Sequence, residues 1–384
     1  MPTDFHIRLF SSFAAAAEAW HDFESQADNY VFQSFDWLNT WYETVADKSA
    51  ITPCITLVEY PKDQGLMLLP LAVQNRSGWL CLVWLGGQIS DYHAPLLTPN
   101  GAQRLNQQLF SQLWQAIQRQ LPKFDAICLE KQPEFIAKQR NPFTYLPCTA
   151  NASNAHFTYL AGNLEQFLKN TISNNAIKST RRSLRRIEDH GKVDFVIANQ
   201  TEQIQALLAT MIAQKSRSYQ ELGVANLFAG PGVTEFFQKM TLAYIGQLIQ
   251  LSALTLNDRV LACHWGLVYK KRFYYLYPTY ERDDLSKYSP GTLLLWQLFA
   301  WCMEQGIEVY DFTIGDEAYK DKWCSEQLQL YDFYQAVTVK GYLYLWPLTV
   351  LKKLKRSIKH QPTLWKTAQA LRAKLAGLRK KPVV

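Results

Sequence analysis

The residues most suited to chemistry lie in the last third of the sequence. Ser289-Pro290-Gly291-Thr292 opens a run, LLLWQLFAWCMEQG, whose apolar content predicts a helix ending near Gly306. Ser suits a helix N-cap, Pro the first helical position and Gly the position just past the end. No acid stands in the first turn, and Gly291 leaves the backbone uncovered. Helix N-termini present unpaired N–H groups and a partial positive charge, so Ser289, Pro290, Gly291, Thr292 and Leu293 form a candidate cradle for a phosphate-bearing ligand. A plain cap on a core helix is the rival reading. Upstream, His264 shares an alternating strand face with Ala262 and Gly266. Its ordinary pKa suits a general base, and a hydrogen-bonded core histidine is the competing interpretation. Asp311 stands between Tyr310 and Phe312 in a run that reads as a buried strand, where an acid needs a partner or a purpose. Gly315, Asp316, Tyr319 and Lys320 follow at the end of that strand.

A second concentration of chemistry is the basic run from Lys178 to Arg186, which contains no acid. On a helix, Arg181, Arg182, Arg185 and Arg186 share one broad face, and Ile177, Leu184 and Ile187 another. Such a face is either simply solvated or a site for phosphate. In the N-terminal half, Asp91, Tyr92 and His93 follow a Gly86-Gly87 break, as a solvated turn or as a ligand-facing loop.

The elements that must position these groups come from a chain of 384 residues, more than one hydrophobic core usually organises. Hydrophobic residues at 48% and aromatics at 14% supply ample core material. The net charge of +7 is uneven. Residues 351–384 hold eleven Lys or Arg and no acid, leaving 29 basic against 33 acidic residues elsewhere. The body is mildly acidic, which argues against general nucleic-acid binding by the core. Seven scattered Cys without a C-x-x-C suggest neither a disulfide framework nor a zinc site. The N-terminus lacks the pattern of a signal peptide, and no apolar run approaches membrane-spanning length, so a cytoplasmic protein without a metal is expected.

Periodicity predicts a strand at 5–10, a helix at 11–27 and another from 34. Strands at 51–60, 66–74 and 79–85, a helix at 101–120 and a strand at 125–130 follow. The second half repeats the order: a strand near 156–160, helices at 163–171 and 174–189, a strand at 193–198 and helices at 201–221 and 232–246. A meander at 249–257, 260–269 and 272–280, a helix at 290–305, a strand at 307–313 and a last strand at 328–339 complete it. The stretch 141–154, rich in Pro, Asn, Thr and Ser, reads as the boundary. The expected domains are therefore 1–150, 151–345 and a basic amphipathic tail, 346–384. In that tail Trp346, Leu351, Leu354 and Ile358 alternate with Lys352, Lys353, Lys355, Arg356 and Lys359, a pattern that suits anionic lipid or a disordered basic tail.

Taken in order, these segments resemble the acyl-CoA-binding core of the GNAT superfamily. The resemblance is nearest to the CelD/BcsL-type acetyltransferase domain, related to the FemAB-like proteins that carry two such folds in tandem. It rests on Phe32-Gln33-Ser34-Phe35-Asp36-Trp37-Leu38, Ser90-Asp91-Tyr92 and the basic run from Lys178 to Arg186. His264-Trp265-Gly266, Tyr277-Pro278-Thr279-Tyr280, Ser289-Pro290-Gly291, Tyr310-Asp311-Phe312 and Gly315-Asp316-Glu317-Ala318-Tyr319-Lys320 complete it. Of the superfamily's Arg/Gln-x-x-Gly-x-Gly/Ala phosphate turn, only Gly291 is present, with Ser286 and Ser289 at earlier positions.

The resemblance implies an α+β protein of two tandem GNAT-like domains, each a mixed, mainly antiparallel sheet flanked by helices. It implies transfer of an acyl group, acetyl in the first instance, from acyl-CoA to an amine or hydroxyl of a small-molecule, sugar or lipid-linked glycan acceptor. Such a reaction needs a base, an oxyanion donor and an acid for the departing thiolate. His264 and Asp311 are the candidates for proton abstraction, and Tyr277 and Tyr280 for protonating the thiolate. Residues 289–293 hold the donor. Asp91, Tyr92, His93, Asp316, Tyr319, Lys320, Arg181 and Arg185 are the candidate substrate contacts. Lys320 paired with Asp316 at i+4 is the structural alternative for that pair. Two other functions stay open: Fem-like aminoacyl transfer from charged tRNA, for which the Arg cluster speaks, and a non-catalytic binding subunit of the same fold.

Overall fold

The computed structural model describes residues 5–60, 64–359 and 361. Strand β1 (His6–Phe10) leads into helices α1 (Phe13–Gln26) and α2 (Phe35–Thr44). Ser12 and Ser34 cap these helices, their hydroxyls accepting from the N–H groups of Ala15 and Trp37. A meander of β2 (Ile51–Glu59), β3 (Gly65–Arg76) and β4 (Trp79–Trp84) follows. Then come β5 (Leu96–Leu97), α3 (Gln107–Gln120), β6 (Ala126–Pro133) and the short β7 (Phe135–Ile136), β8 (Gln139–Arg140) and β9 (Thr149–Ala150). The helix expected over 101–120 is shorter because Gly101–Arg104 forms a separate 3-10 turn and the Asn106 side chain caps α3.

The second run begins with β10 (Ala155–Tyr159), α4 (Leu164–Thr171), α5 (Asn174–Glu188) and β11 (Val193–Ile197). Helices α6 (Thr201–Leu222) and α7 (Val233–Tyr244) precede a meander of β12 (Ile249–Leu256), β13 (Arg259–Tyr269) and β14 (Arg272–Tyr280). Helix α8 (Pro290–Glu304), β15 (Val309–Ile314), β16 (Glu326–Leu328), β17 (Leu330–Ala336) and α9 (Val339–Lys359) complete the described chain.

Among the described residues these elements form two compact units: residues up to Asn154 together with 328–361, and Ala155–Gln327. The first unit's sheet has the order β1-β2-β3-β4-β6-β17-β9, with β5 on β3. The second has the order β11-β12-β13-β14-β15-β10-β16. Each is an antiparallel meander whose third strand pairs in parallel with the strand following a helix: β4 with β6, and β14 with β15. This is the mixed, mainly antiparallel α+β architecture, twice over.

The sequence assigned the strand at 328–339 to the second domain, ending at 345. The strand is instead β17, antiparallel to β6 through pairs such as Tyr334↔Cys128, and α9 follows it in the first unit. Backbone pairing with a strand two hundred residues earlier outweighs chain proximity there. Of the expected basic tail, residue 360, residues 362–384 and the side chains of Lys355, Ile358 and Lys359 lie outside the described part.

In the second unit α8 is apolar on nearly every face, as a helix buried on all sides must be. Leu294, Leu298, Phe299 and Cys302 of this helix pack with Phe273, Tyr275, Tyr310 and Phe312 of the sheet. Helix α6 covers β13 and β14. Trp265 and Tyr277 form an aromatic cluster with Phe237 of α7.

Candidate active site

The feature that creates a site is the short parallel ladder between β14 and β15. It runs over Arg272↔Val309, Phe273↔Tyr310 and Tyr274↔Asp311, although β14 continues to Tyr280 and β15 to Ile314. On the other side, the β13–β14 register shifts between Trp265 and Leu267, marking a bulge in the same stretch. A bulge re-aims backbone groups and bends its strand. The two strands therefore part just above Asp311.

Asp311 is fully buried at the apex. Its Oδ2 accepts from Arg272 at 2.7 Å, and its Oδ1 from the Thr313 N–H at 2.8 Å. Arg272 in turn lies over the Phe157 ring, 5.1 Å from its centroid. The carboxylate thus holds strand geometry, and its two oxygens are committed to that task. Thr313 has φ +58°, a backbone strain for a β-branched residue that only surrounding contacts can maintain. Asp311 grips its N–H from below. Lys320, itself buried, donates to the carbonyls of Thr313 and Ile314 at 3.3 and 3.1 Å.

Lys320 pairs with Glu317 at 2.9 Å, not with Asp316 as the i+4 spacing suggested. Asp316 instead meets His156 of β10, Oδ1 to Nε2 at 3.1 Å. His156, nearly fully buried, stands opposite Thr313 in the β10–β15 ladder. Tyr319 is partly exposed, its ring edge-on to Phe312 at 6.0 Å, and burial raises its phenol above the usual range. Asp316, Tyr319 and Lys320 therefore do gather at one strand end, together with His156 and Glu317.

For His264 the sequence left two readings open, a general base and a core histidine. Its ring is fully buried and stacked on Tyr275 at 4.5 Å with 9° between planes. Gln250 Oε1 lies 3.5 Å from Nδ1, and Nε2 has no hydrogen-bond partner. Desolvation, reinforced by the nearby Lys215 cation, holds its pKa well below the ordinary value. A base so reluctant to take a proton is a poor one. The core-histidine reading fits this geometry. Gly266 makes room for it, since a Cβ there would lie 2.3 Å from His264 Cε1 and 2.5 Å from the Tyr274 carbonyl oxygen. Tyr277 points to the opposite face of the sheet, into the Phe228–Phe237–Trp265 cluster. Its role there is packing.

The sequence missed Lys215. It reaches from α6 to the Pro278 carbonyl of β14 at 3.3 Å, beside the bulge. Burial pushes its ammonium down to about 8, with Glu317 opposing that shift and Lys320 adding to it. The one available signal was position. Lys215 stands four residues after Met211 on the buried stripe Ile204, Leu207, Leu208, Met211 of α6, where a solvated lysine does not belong. His156 gave no such signal, being one of several polar residues in a short strand.

At the start of α8, Ser289 occupies the N-cap position but with φ +54°, and its side chain makes no capping bond. The expected Ser cap is thus corrected: Ser289 supplies a left-handed kink, and its carbonyl takes the N–H groups of Thr292 and Leu293. A Cβ at Gly291 would meet nothing within 4 Å except Tyr280 Cδ1 at 3.8 Å. Tyr280 is 44% exposed, so it borders the open turn as Tyr277 does not. Pro290 and Leu293 are buried and anchor the helix start. Helix α5 packs against the 286–288 turn and α8, with Arg181, Arg182, Arg185 and Arg186 exposed. A cleft of about 150 Å³ lined by Lys169, Lys178 and Arg181 lies along that helix.

In the first unit the residues 91–93 are built into the core rather than forming a solvated turn. Tyr92 is fully buried, edge-on to Tyr30 and Phe32. Its carbonyl accepts from Gln33 at 2.8 Å. His93 donates its backbone N–H to the Lys131 carbonyl, and its Nδ1 lies 3.1 Å from the Glu130 carbonyl. Desolvation pushes the imidazole down to about 3. Asp91 is half-buried. Among the described residues no cluster of His, Cys, Asp and Glu could hold a metal ion, and the seven cysteines are free.

Comparison with known proteins bears on the fold. Residues 174–321, which contain α5 through Lys320, match the family described as "Acetyltransferase (GNAT) domain". No curated protein matches the chain. The crystal structure of FemX is similar over 88% of this chain and 99% of its own, at 11% identity and a TM-score of 0.60. A conserved protein of unknown function from Bacteroides thetaiotaomicron matches over 85% and 99%, at 12% identity and a TM-score of 0.54. The C-terminal domain of a putative lysylphosphatidylglycerol synthetase from Agrobacterium fabrum matches over 88% and 97%, at 13% identity and a TM-score of 0.50. At such identities the likeness is one of fold.

Proposed function

We propose that this GNAT-fold, FemAB-like chain, whose residues 174–321 form a GNAT domain, is an acyltransferase. It moves an acyl group, acetyl in the simplest case, from acyl-CoA to an amine or hydroxyl of a small-molecule, sugar or lipid-linked glycan acceptor. The observation that carries the reading is the parting of β14 and β15 above Asp311, with the uncovered Gly291 turn of α8 beside the end of β14.

The residues present suit the donor. A pyrophosphate approaches closest where no side chain projects, and the Gly291 position is open apart from the Tyr280 ring. The cationic face of α5, with Arg181 and Arg185, adds positive charge on the same side of α8. An extended thioester arm fits between two strands that have ceased to pair, where backbone N–H groups at the parted edges can bind the developing oxyanion.

In the transfer, the acceptor's nitrogen or oxygen forms a bond to the acyl carbon as the carbon–sulfur bond breaks. The acceptor's proton goes to a base and the thiolate takes a proton from an acid. Lys215 in its neutral form serves as the base, since burial already brings its pKa to about 8. Tyr280, at the mouth beside Gly291, serves as the acid. Lys320, Asp316 and Tyr319 border the acceptor's side, Lys320 also fixing the strand end through Thr313 and Ile314. His264 and Asp311 act by position, one as packing and one as the pin of the apex.

One observation favours a second reading. Four exposed guanidinium groups on α5 also suit a charged tRNA as acyl donor. Thermal unfolding separates the two. A ligand at about a hundred times its Kd raises stability by about 2.7 kcal/mol. Acetyl-CoA or CoA is expected to raise the thermal midpoint of the full chain, and Gly291→Glu to abolish that shift without lowering the unliganded midpoint. A shift with charged tRNA alone would support the second reading, and silence from both would leave a non-catalytic binding subunit.

A further inference from the structure

Helix α9 belongs to neither part of that chemistry. A helix docked on a sheet buries one face and turns polar residues outward. Here the inward side is occupied: Leu345 is buried, Tyr344 accepts from Arg76 through its hydroxyl oxygen and lies against Trp79, and Gly341 sits tight on Asp125. The outward side is also apolar. Val339, Tyr342, Leu343, Trp346, Val350, Leu351 and Leu354 are each 50 to 81% exposed. Positions 339, 343, 346, 350 and 354 fall on one stripe at 3.6 residues per turn, running over about 22 Å at 1.5 Å per residue. No other element among the described residues carries such a row of exposed large apolar side chains.

The flanks of the stripe are cationic. Lys353 and Arg356 are exposed along one edge and line, with Lys352, Thr349, Asn151 and Ser153, a cleft of about 370 Å³. Lys340 lies on the other edge. The acids nearby, Asp125, Glu130 and Asp332, sit beneath the helix, paired with Lys340 and Lys352. After Asp332 the chain contains no acid at all. From this arrangement we infer that α9 lies in the surface of an anionic phospholipid bilayer. Leu343, Val350 and Leu354 enter the acyl boundary, Tyr342 and Trp346 sit at headgroup level, and Lys353 and Arg356 meet lipid phosphates.

A second copy of the chain is the alternative occupant, and charge argues against it. A two-fold contact through this stripe would set each patch against itself and bring the flanking cations of both copies together. An anionic surface complements both the apolar stripe and its cationic edges. The attachment is peripheral, since no helix among the described residues is long and apolar enough to cross a membrane.

The test is co-sedimentation of the full chain with phosphatidylcholine vesicles, with and without about one third phosphatidylglycerol. Binding is expected only to the anionic vesicles, weakening as salt is raised. The double variant Leu343→Asp with Trp346→Asp keeps every basic residue and changes two side chains that are 63 and 64% exposed, so it should stay close to the wild-type thermal midpoint. Its partition into anionic vesicles should fall at least about tenfold. Wild-type binding by this variant would overturn the inference, because the basic C-terminal residues alone would then account for attachment. Absence of vesicle binding by the wild type, or a dimer in sedimentation velocity that the variant dissolves, would overturn it equally.

Discussion

Two glycines of the second unit provide a paired prediction in which the same substitution has opposite outcomes. At Gly266 the added methyl of an alanine would sit 2.3 Å from His264 Cε1 and 2.5 Å from the Tyr274 carbonyl oxygen. Neither neighbour can move cheaply. The imidazole is stacked on Tyr275, and the carbonyl belongs to the last paired residue of the β14–β15 ladder. Overpacking of a filled core costs about 1–3 kcal/mol, and a backbone clash belongs at the upper end. For a protein of this size each kcal/mol lowers the thermal midpoint by about 2–4 °C, so Gly266→Ala should lose about 6–12 °C. At Gly291 the methyl would meet only Tyr280 Cδ1 at 3.8 Å, in ordinary contact, and alanine is the better helix former by about 0.8–1 kcal/mol. Gly291→Ala should leave the midpoint unchanged or raise it slightly. Circular dichroism on heating the full chain reads both. The double variant His264→Ala with Gly266→Ala removes one of the two clashes, so its loss should be smaller than the sum of the single losses. A Gly266→Ala midpoint within about 1 °C of wild type, or a Gly291→Ala protein that is the less stable of the two, would refute the packing on which the site description rests.

Three more outcomes follow from the charged groups and from α9. Lys215 titrates near 8 when folded against an ordinary 10.5, so below pH 8 both states carry the proton and the burial penalty is complete. Between about 8 and 10.5 the unfolded chain holds more protons and stability rises with pH. Lys215→Met should therefore stabilise the protein by about 1–3 kcal/mol at pH 7, a gain that disappears by pH 11, as urea titrations at both pH values would report. The same variant should also lack the rise of transfer rate with pH through about 8 that the proposed role of Lys215 as base predicts for the wild type. Asp311→Ala strands the half-buried Arg272 cation and frees the strained Thr313 N–H, and should cost about 2–4 kcal/mol in a urea titration. A cost under about 1 kcal/mol would mean that the apex ion pair is not what holds the strand end. Gly341→Ala would put a methyl 1.8 Å from the Asp125 carbonyl oxygen and should displace α9, seen as faster amide exchange in that helix and in β17.

The order of elements was legible because its signals are local. The turns at Asn257-Asp258 and Lys270-Lys271, whose residues all adopt positive φ, mark the meander within a residue of its observed ends. What was not legible was partnership. Nothing in Leu330–Ala336 says that it pairs with β6 rather than with the strands just before it, since a strand's edge chemistry is the same backbone everywhere. The same limit governs the site. Asp316 and Lys320 were readable as chemistry, but their partners, His156 and Glu317, follow from how β10 lies against β15 and how the 315–320 turn closes. The two readings of His264 stayed open because alternation shows which face a residue takes and not whether that face meets a cleft or a packed ring. Ser289 had the residue type of a cap, and its left-handed backbone put the hydroxyl out of reach.

The two units, each considered by itself, also differ at the place where the donor site is proposed. In both, the parallel ladder stops after three pairs and the central strand then carries a left-handed non-glycine residue, Lys131 in β6 and Thr313 in β15. In the first unit the space beyond the ladder is taken by backbone. His93 donates its N–H to the Lys131 carbonyl, Lys131 Nζ returns to the Ser90 carbonyl at 2.8 Å, and Trp37 Nε1 fixes Ser90 Oγ at 2.9 Å. The Gly86-Gly87 break lets the chain turn into that place, Gly86 at φ +101° and Gly87 at +54°. In the second unit the chain leaves β14 at Tyr280 and runs outward to the 286–288 turn, and the corresponding backbone carbonyls are met by side chains, Lys215 on Pro278 and Lys320 on Thr313 and Ile314. Backbone filling is permanent, whereas Lys215, which touches one carbonyl, can give way to a substrate atom. The same fold, built twice, is thus closed where a loop completes the ladder and open where two ammonium groups border it. Grafting the 86–93 segment in place of 281–288 should close the second site and abolish any stabilisation by acetyl-CoA, while Gly86→Val should loosen the first unit without affecting that response.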